Sequence, residues 1–330
     1  MATVIVLDSG GRLGNKLIHF AAVYAWCLHR GHRLFNPAFY AYAPLFPNVD
    51  SDLFLSGTHP LRLPVPMRRR LQKFALRLGR TASERGWIHG EIHAESPTEL
   101  VVLPPSDSLG GIATFDDSRG ARFYLQGWYI RNPRGLTIYR KQIVELLSPS
   151  RDVIDDADAF ARLVSSAEKS GPLEWGASRD TIALAVHIRQ GDYKTERAGL
   201  YYEVGVYAQT MKRVQDELTK RSGKRVRFAV FSDEERTPQE FAPLGLNVVV
   251  SRSSVIGDLT RMSRFAGIIA APSTFSQWAA YTANQGVGPS GIILEIGRHP
   301  DAELKYIEDE PIARDFDDFI TGVMQRCGAS

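Results

Sequence analysis

Apolar and polar positions follow two rhythms along this chain, and they alternate. Thr181 to Ile188 (TIALAVHI) is apolar and largely β-branched, with no ionisable side chain before His187. An apolar run of that length suits a strand buried on both faces. Thr3 to Leu7 (TVIVL), Arg225 to Phe231 (RVRFAVF), Leu246 to Val250, Ile268 to Ala271 and Ile292 to Ile296 read the same way. His32 to Phe35 is a short strand and Phe123 to Ile130 (FYLQGWYI) a further one. Helical spacing separates these runs. Leu17, Phe20, Tyr24 and Leu28 share one face of Lys16 to Arg30, which Gly31 ends. Val204, Tyr207, Met211, Val214 and Leu218 stripe a helix from about Tyr201 to Arg221, closed by Gly223. Other helices are predicted over Thr137 to Leu147, from a start within Ser148 to Asp158 (Ser150 or Asp152 as cap) and over Pro238 to Leu244. Two more run from a cap at Asp258 to Phe265 and onward from a cap at Ser273. Strands alternating with helices predict an α/β chain with a doubly wound parallel sheet.

The chain's 330 residues can bury a sizeable core and suggest two domains. The polar stretch Ser165 to Arg179 is the best linker, dividing residues 1–165 from 166–330. A net charge of +3 makes no case for a nucleic-acid partner. The two cysteines, Cys27 and Cys327, have no metal-ligand spacing, and Cys27 reads as a buried thiol. The start lacks the pattern of a secretory leader and no long apolar window follows, so the expectation is a cytoplasmic protein without a membrane span. Asn36 to Pro66, rich in proline and aromatics, predicts irregular structure. Met67 to Arg80 (MRRRLQKFALRLGR) spaces Met67, Leu71, Phe74 and Leu78 as one stripe among basic residues. It reads first as a solvated basic helix packed on its domain. The alternative is peripheral contact with an anionic membrane surface, at its inner face, or with an acidic glycan.

Candidate chemistry lies where strands end. In an open parallel sheet, ligands bind beyond the carboxyl ends of the strands. Strand 181–188 delivers His187, then Arg189, Gln190, Gly191 and Asp192; the RVRFAVF strand delivers Ser232 and Asp233; the strand ending at Ala271 delivers Ser273, Thr274, Phe275 and Ser276 at a helix start. A guanidinium fork and a helix N-terminus both favour an anion, so the three together predict a phosphate-bearing ligand. Arg189 could equally pair with Asp192, Ser273 be a plain cap and Asp233 a turn residue. Gly10, Gly11 and Gly14 let the backbone turn sharply after the first strand. Their spacing is not G-x-G-x-x-G and no suitable acidic residue follows, which argues against a nicotinamide cofactor. Gln126, Gly127, Trp128 and Tyr129 could form a sugar-binding wall or simply pack a core. The pairs Asp50/Asp52, Asp156/Asp158 and Asp315/Asp317 do not follow buried strands, so no metal is expected.

At this level the residues resemble a family. HIRQGDY resembles the H-x-R-R-G-D-Y motif of the α-1,2-fucosyltransferases, glycosyltransferase family 11. GGRLGNKLIHFAA is similar to that family's G-G-L-G-N-Q-[ML]-F-Q-Y-A opening, and FSDE to its F-S-D-D. DLTRMSRFAGIIAAPSTFSQWAAY is similar to D-L-x-L-M-S-x-C-x-x-x-I-I-A-N-S-S-F-S-W-W-[GA]-A-[WY]. The four motifs occur in order between residues 10 and 281, with poor matches between them.

The resemblance implies a GT-B fold, two Rossmann-like domains facing across a cleft, with an acceptor-side domain first and the donor held mainly by the second. It implies an inverting, metal-independent transfer of fucose from GDP-fucose to a sugar hydroxyl, most simply an α-1,2 link to galactose on a surface glycan or oligosaccharide. Arg189 would meet the β-phosphate, with His187 beside the nucleotide and Ser232 and Asp233 at the same site. Asp258 would read the guanine edge and Ser273, Thr274, Phe275 and Ser276 would hold the pyrophosphate. Gly11, Gly14 and Asn15 would face the cleft from the first domain. Asp192 would be the general base or would orient Arg189, with Glu196 and Glu203 as rival bases. Another GDP-hexose, or a catalytically weakened GDP-sugar-binding regulator, is the alternative. The chain departs from the pattern at Lys16, His19, Gln190, Glu234, Pro272 and Gln277. Gln190 removes one positive charge beside the leaving group.

Overall fold

A computed structural model of the chain describes residues 3–8, 11–39, 41–52, 91–93, 101–102, 122–126, 130–165, 177–178, 180–195, 198–283, 290–297 and 312–328, with positions 66, 67, 70, 74, 77 and 81. The described residues up to Ser148 form one compact unit and those from Pro149 onward a second. Most of the stretch expected as a linker, residues 166–176 and 179, lies outside the described residues.

In the first unit, β1 (Thr3–Asp8) runs parallel to β2 (Arg33–Phe35) on one side and to β5 (Arg122–Gln126) on the other. The sheet ends in β3 (Glu91–His93), giving the order β2-β1-β5-β3. A separate parallel pair joins β4 (Val101–Val102) to β6 (Ile130–Arg131). Helix α1 (Leu13–Arg30) is buried on more than its expected face: Ile18, Ala21, Ala22 and Trp26 are buried along with Leu17 and Phe20, while Leu28 is exposed. Small residues at 21, 22 and 25 let neighbours approach the helix from several sides. A short helix α2 (Pro47–Asp52) precedes the less described stretch. The expected helix over 137–147 is two, α3 (Pro133–Ile138) and α4 (Arg140–Leu146), broken at Tyr139. Asn132 starts the first by accepting a hydrogen bond from the Gly135 N–H at 3.0 Å. Residues 127–129, the greater part of the expected aromatic sugar wall, lie outside the described residues. So does most of the basic stretch 67–80. Its described positions Met67 and Phe74, expected on the packed stripe, are exposed.

The second unit follows the predicted rhythm closely. Helix α5 (Arg151–Ser165) leads to a short antiparallel edge, β7 (Ala177–Ser178), and then to β8 (Thr181–Ile188). After it come α6 (Val204–Ser222), β9 (Arg225–Ser232), two 3-10 turns at 238–240 and 242–244, and β10 (Val248–Val250). The chain continues through α7 (Val255–Met262), β11 (Gly267–Ala270), α8 (Thr274–Tyr281), β12 (Ile292–Glu295) and α9 (Phe316–Arg326). The parallel order is β10-β9-β8-β11-β12, so β8 is central and buried at every residue. It pairs with β9 over its whole length, Thr181 with Arg225 through Ile188 with Ser232. One face packs Ile182, Leu184, Val186 and Ile188 with Tyr207, Met211, Val214 and Leu218 of α6 and with Phe319, Ile320 and Val323 of α9. Each such side chain, fully buried, contributes about 1.5–3 kcal/mol. Two differences from expectation matter. Asp258 does not cap its helix. Ser254 does, its Oγ accepting from the Gly257 N–H at 3.1 Å, which places Asp258 inside the first turn of α7. Helix α9, whose extent the sequence reading does not predict, closes the core.

Candidate functional site

The parallel register brings the carboxyl ends of β10, β9, β8 and β11 to one edge of the second unit's sheet. His187, the penultimate residue of β8, is buried beneath this edge. Its Nδ1 lies 2.8 Å from Ser276 Oγ on α8 and its ring packs beside Phe275, with centroids 5.2 Å apart. Burial, helped by the Arg189 charge, pushes the His187 pKa down from 6.5 to about 4, so the imidazole is neutral at neutral pH.

Arg189 follows on the loop. Its Nη2 donates to Asp192 Oδ2 at 2.8 Å, and both side chains keep only 15% exposure. Nη2 is the guanidinium nitrogen with a hydrogen-bond partner among the described residues, so the rest of the fork is open to an anion. The guanidinium also rests over the Tyr193 ring, 5.2 Å from its centroid. Tyr193 donates its hydroxyl to the Pro272 carbonyl at 2.7 Å. The loop after β8 is therefore tied to the residue just before the α8 cap.

That cap is Ser273, in extended backbone conformation, whose Oγ accepts from the Phe275 N–H at 3.2 Å. Ser273 is thus a cap as well as a site candidate, and it shapes a helix start whose N–H groups carry partial positive charge. Thr274 and Phe275 are half-buried there. From β9, Asp233 Oδ1 accepts the Gln190 N–H at 2.9 Å, holding the β8 loop from the other side. Ser232 Oγ accepts the Glu234 N–H at 3.1 Å. Asp233 is therefore a clamp on the loop.

Gln190 is buried and engaged at both ends of its amide. Nε2 donates to the Tyr202 carbonyl at 2.8 Å, and Oε1 accepts from Arg236 Nη2. Arg236 also pairs with Glu234 at 3.0 Å, and Glu234 with Lys194 at 2.8 Å. Asp258 accepts from Ser251 Oγ at 2.7 Å, and burial raises its pKa above the usual carboxylate value. Gly11, Gly14 and Asn15 belong to the other unit, at the start of α1. Gly11 has φ +68, and a Cβ there would run into the Asn15 side chain. Only glycine fits that turn.

The structure thus gathers His187, Arg189, Asp192, Ser232, Asp233 and Ser273 to Ser276 at one sheet edge, with Asp258 on the helix after β10. Sequence reasoning missed Tyr193 as a tether, Arg236, Ser251 and Arg261. Tyr193 stood inside the HIRQGDY motif and could have been flagged, whereas Arg261 meets its partners only through the fold. Two of the three Asp-x-Asp pairs have partners among the described residues: Asp156 pairs with Arg261, Asp158 with Arg264 and Asp317 with Arg221, and Asp315 caps α9.

No family model matches the sequence, and no curated protein matches it. Among solved structures, the chain is similar to POFUT1 in complex with GDP-fucose, at 11% identity and TM-score 0.50, over 90% of this chain and 97% of that one. It is also similar to NodZ alpha-1,6-fucosyltransferase soaked with GDP-fucose, at 14% identity and TM-score 0.45, over 84% of this chain and 91% of that one. FUT1 of Arabidopsis thaliana in complex with GDP aligns at 13% identity and TM-score 0.44, over 85% of this chain and 68% of that one. At such identity the first likeness is one of fold, an α/β architecture of GT-B type with parallel sheets.

Proposed function

We propose that the chain is a glycosyltransferase that takes fucose from GDP-fucose and links it to a sugar hydroxyl. The observation that carries this reading is the tether from Arg189 to the start of α8. A guanidinium fork held by Asp192 and a helix N-terminus meet at neighbouring strand ends, joined by Tyr193–Pro272 and His187–Ser276. Two sources of positive potential at one edge suit a diphosphate. The four motifs similar to glycosyltransferase family 11 support a guanine nucleotide and an α-1,2 link to galactose on a glycan or oligosaccharide. The POFUT1 structure, solved with GDP-fucose, is consistent with that donor.

In this reading an acceptor hydroxyl attacks the anomeric carbon as GDP departs from the opposite face, inverting the configuration. The transition state is oxocarbenium-like, so the demand falls on the leaving phosphate. Arg189 and the first turn of α8 meet that charge without a metal. Asp192 orients the guanidinium, since one of its oxygens already accepts from Arg189. Neutral His187 supports Ser276 at the helix start. Asp258 accepts from the guanine N1–H and N2–H edge.

The test is GDP release from GDP-fucose with and without simple galactosides. Release stimulated by a galactoside supports the reading. Tight GDP binding with no turnover under any acceptor would replace it with a GDP-sugar-binding regulator, and turnover of another GDP-hexose alone would change the donor.

A further inference from the structure

Ser251 is the first residue beyond β10, and its N–H donates to the Val230 carbonyl at 2.8 Å, which anchors it to the sheet edge. Its hydroxyl lies between two charged groups. It is 2.7 Å from Asp258 Oδ1 and 2.9 Å from Arg261 Nη1. A guanidinium has donors only, so Arg261 must occupy an oxygen lone pair of Ser251. The single hydroxyl hydrogen is then left for Asp258, and the direction of the chain of bonds is settled by chemistry.

Arg261 is itself held firmly. Its Nε and Nη2 meet the two oxygens of Asp156 at 2.9 and 3.0 Å, and its guanidinium lies 4.5 Å from the centre of the Phe160 ring. A bidentate pair stacked on an aromatic ring has one orientation. The series Asp156–Arg261–Ser251–Asp258 thus runs from α5 through α7 to the end of β10 and back into the first turn of α7. Asp258 Oδ2 has no hydrogen-bond partner among the described residues. Placing a half-buried carboxylate with one oxygen anchored and the other open disfavours its charged form, and the Ser251 hydrogen bond offsets part of that cost.

We propose that Ser251 and Arg261 are positioning residues for base specificity: they orient the Asp258 carboxylate so that Oδ2 accepts from a purine with an N1–H donor and an exocyclic 2-amino group. This rests on the guanine-nucleotide reading above. Adenine presents an acceptor at N1, and an ionised carboxylate held in this orientation repels it. Hypoxanthine keeps N1–H and lacks the amine, so it ranks between the two.

The experiment is calorimetric titration of the full chain with GDP, IDP and ADP, for the wild type, Ser251→Ala and Ser251→Thr. The wild type is expected to bind in the order GDP, IDP, ADP. Ser251→Ala is expected to lose about tenfold in GDP affinity with ADP unchanged, and Ser251→Thr, which keeps the hydroxyl, to restore it. If Ser251→Ala binds GDP as the wild type does, or weakens GDP and ADP equally, the positioning role is overturned and Ser251 is merely structural. If the wild type itself shows no preference for GDP over ADP, the guanine reading falls instead. Ligand-free melting curves of both variants establish that each is folded.

Discussion

His187 Nδ1 lies 2.8 Å from Ser276 Oγ, joining the tip of the central strand to the first turn of α8 beneath the site. The contact sits in a buried place: His187 is 5% exposed and Ser276 1%. A neutral imidazole can exchange a hydrogen bond with a hydroxyl whichever tautomer it adopts, but an imidazolium here would face Arg189 without solvent.

A pH dependence of stability follows. In the unfolded chain an imidazole takes its proton near 6.5, whereas in the fold His187 does so only near 4. The main cause is burial, then the Arg189 charge; Asp233 opposes them. Between these values the unfolded chain binds a proton that the folded chain does not. Stability should therefore fall as pH drops from 6.5 to 4, by about 3 kcal/mol in all, and this group should cause no loss above 6.5. Urea unfolding of the wild type and His187→Gln at several pH values checks this. A difference between the two that stays flat across that window would sink the prediction.

The Arg189–Asp192 pair makes a sharper statement about chemistry. Arg189→Ala should lower GDP-fucose turnover by about 10²–10³-fold, the usual loss when a donor to developing charge is removed. Arg189→Lys keeps the charge without the fork and should recover part of it. Asp192→Asn should weaken donor binding together with turnover, because the guanidinium loses its charged anchor. Were kcat alone to fall, with GDP-fucose affinity intact, Asp192 would be the base and not the anchor.

Tyr193 offers a structural test of the same edge. Its hydroxyl donates to the Pro272 carbonyl at 2.7 Å, and both residues are buried. Tyr193→Phe keeps the ring under Arg189 and leaves the carbonyl unpaired, which should cost about 1–3 kcal/mol in denaturant unfolding. Donor affinity should drop too, because the β8 loop is no longer tied to the α8 start. A variant as stable as the wild type and equal in donor affinity would remove the tether from the account.

What could be read from the chain itself has a physical pattern. Strand β8 was legible because a strand buried on both faces needs an unbroken apolar run, and TIALAVHI is one. The α8 start was legible because Ser273 precedes a helical spacing directly. The α7 start was misplaced because Ser254 and Asp258 are both good caps, and only the Gly257 N–H decides between them. Helix α9 is only partly legible: Asp315/Asp317 reads as solvated acidic residues or a helix start, and Phe319, Ile320 and Val323 supply the apolar face behind that start. The Asp156–Arg261–Ser251–Asp258 series was not legible at all: local spacing does not encode a pairing between residues 105 positions apart.

Gln190 shows how a departure from a motif can be explained by its neighbours. The motif it resembles carries arginine there, yet this chain buries a glutamine whose Oε1 accepts from Arg236 and whose Nε2 holds the Tyr202 carbonyl. Glu234 already serves both Lys194 and Arg236, so a second guanidinium at 190 would find no unshared carboxylate in that group. It would also be longer than the glutamine in a site with 2% exposure. Gln190→Arg should therefore destabilise the fold by about 1–3 kcal/mol, through overpacking and like charge together. Adding Arg236→Gln removes the competing cation and leaves Glu234 free to pair with the introduced guanidinium. The double variant should then be more stable than the sum of the two single changes, by about 0.5–3 kcal/mol of coupling in denaturant unfolding. Strict additivity would mean that Arg236 does not dictate the residue at 190, and the glutamine would need another cause.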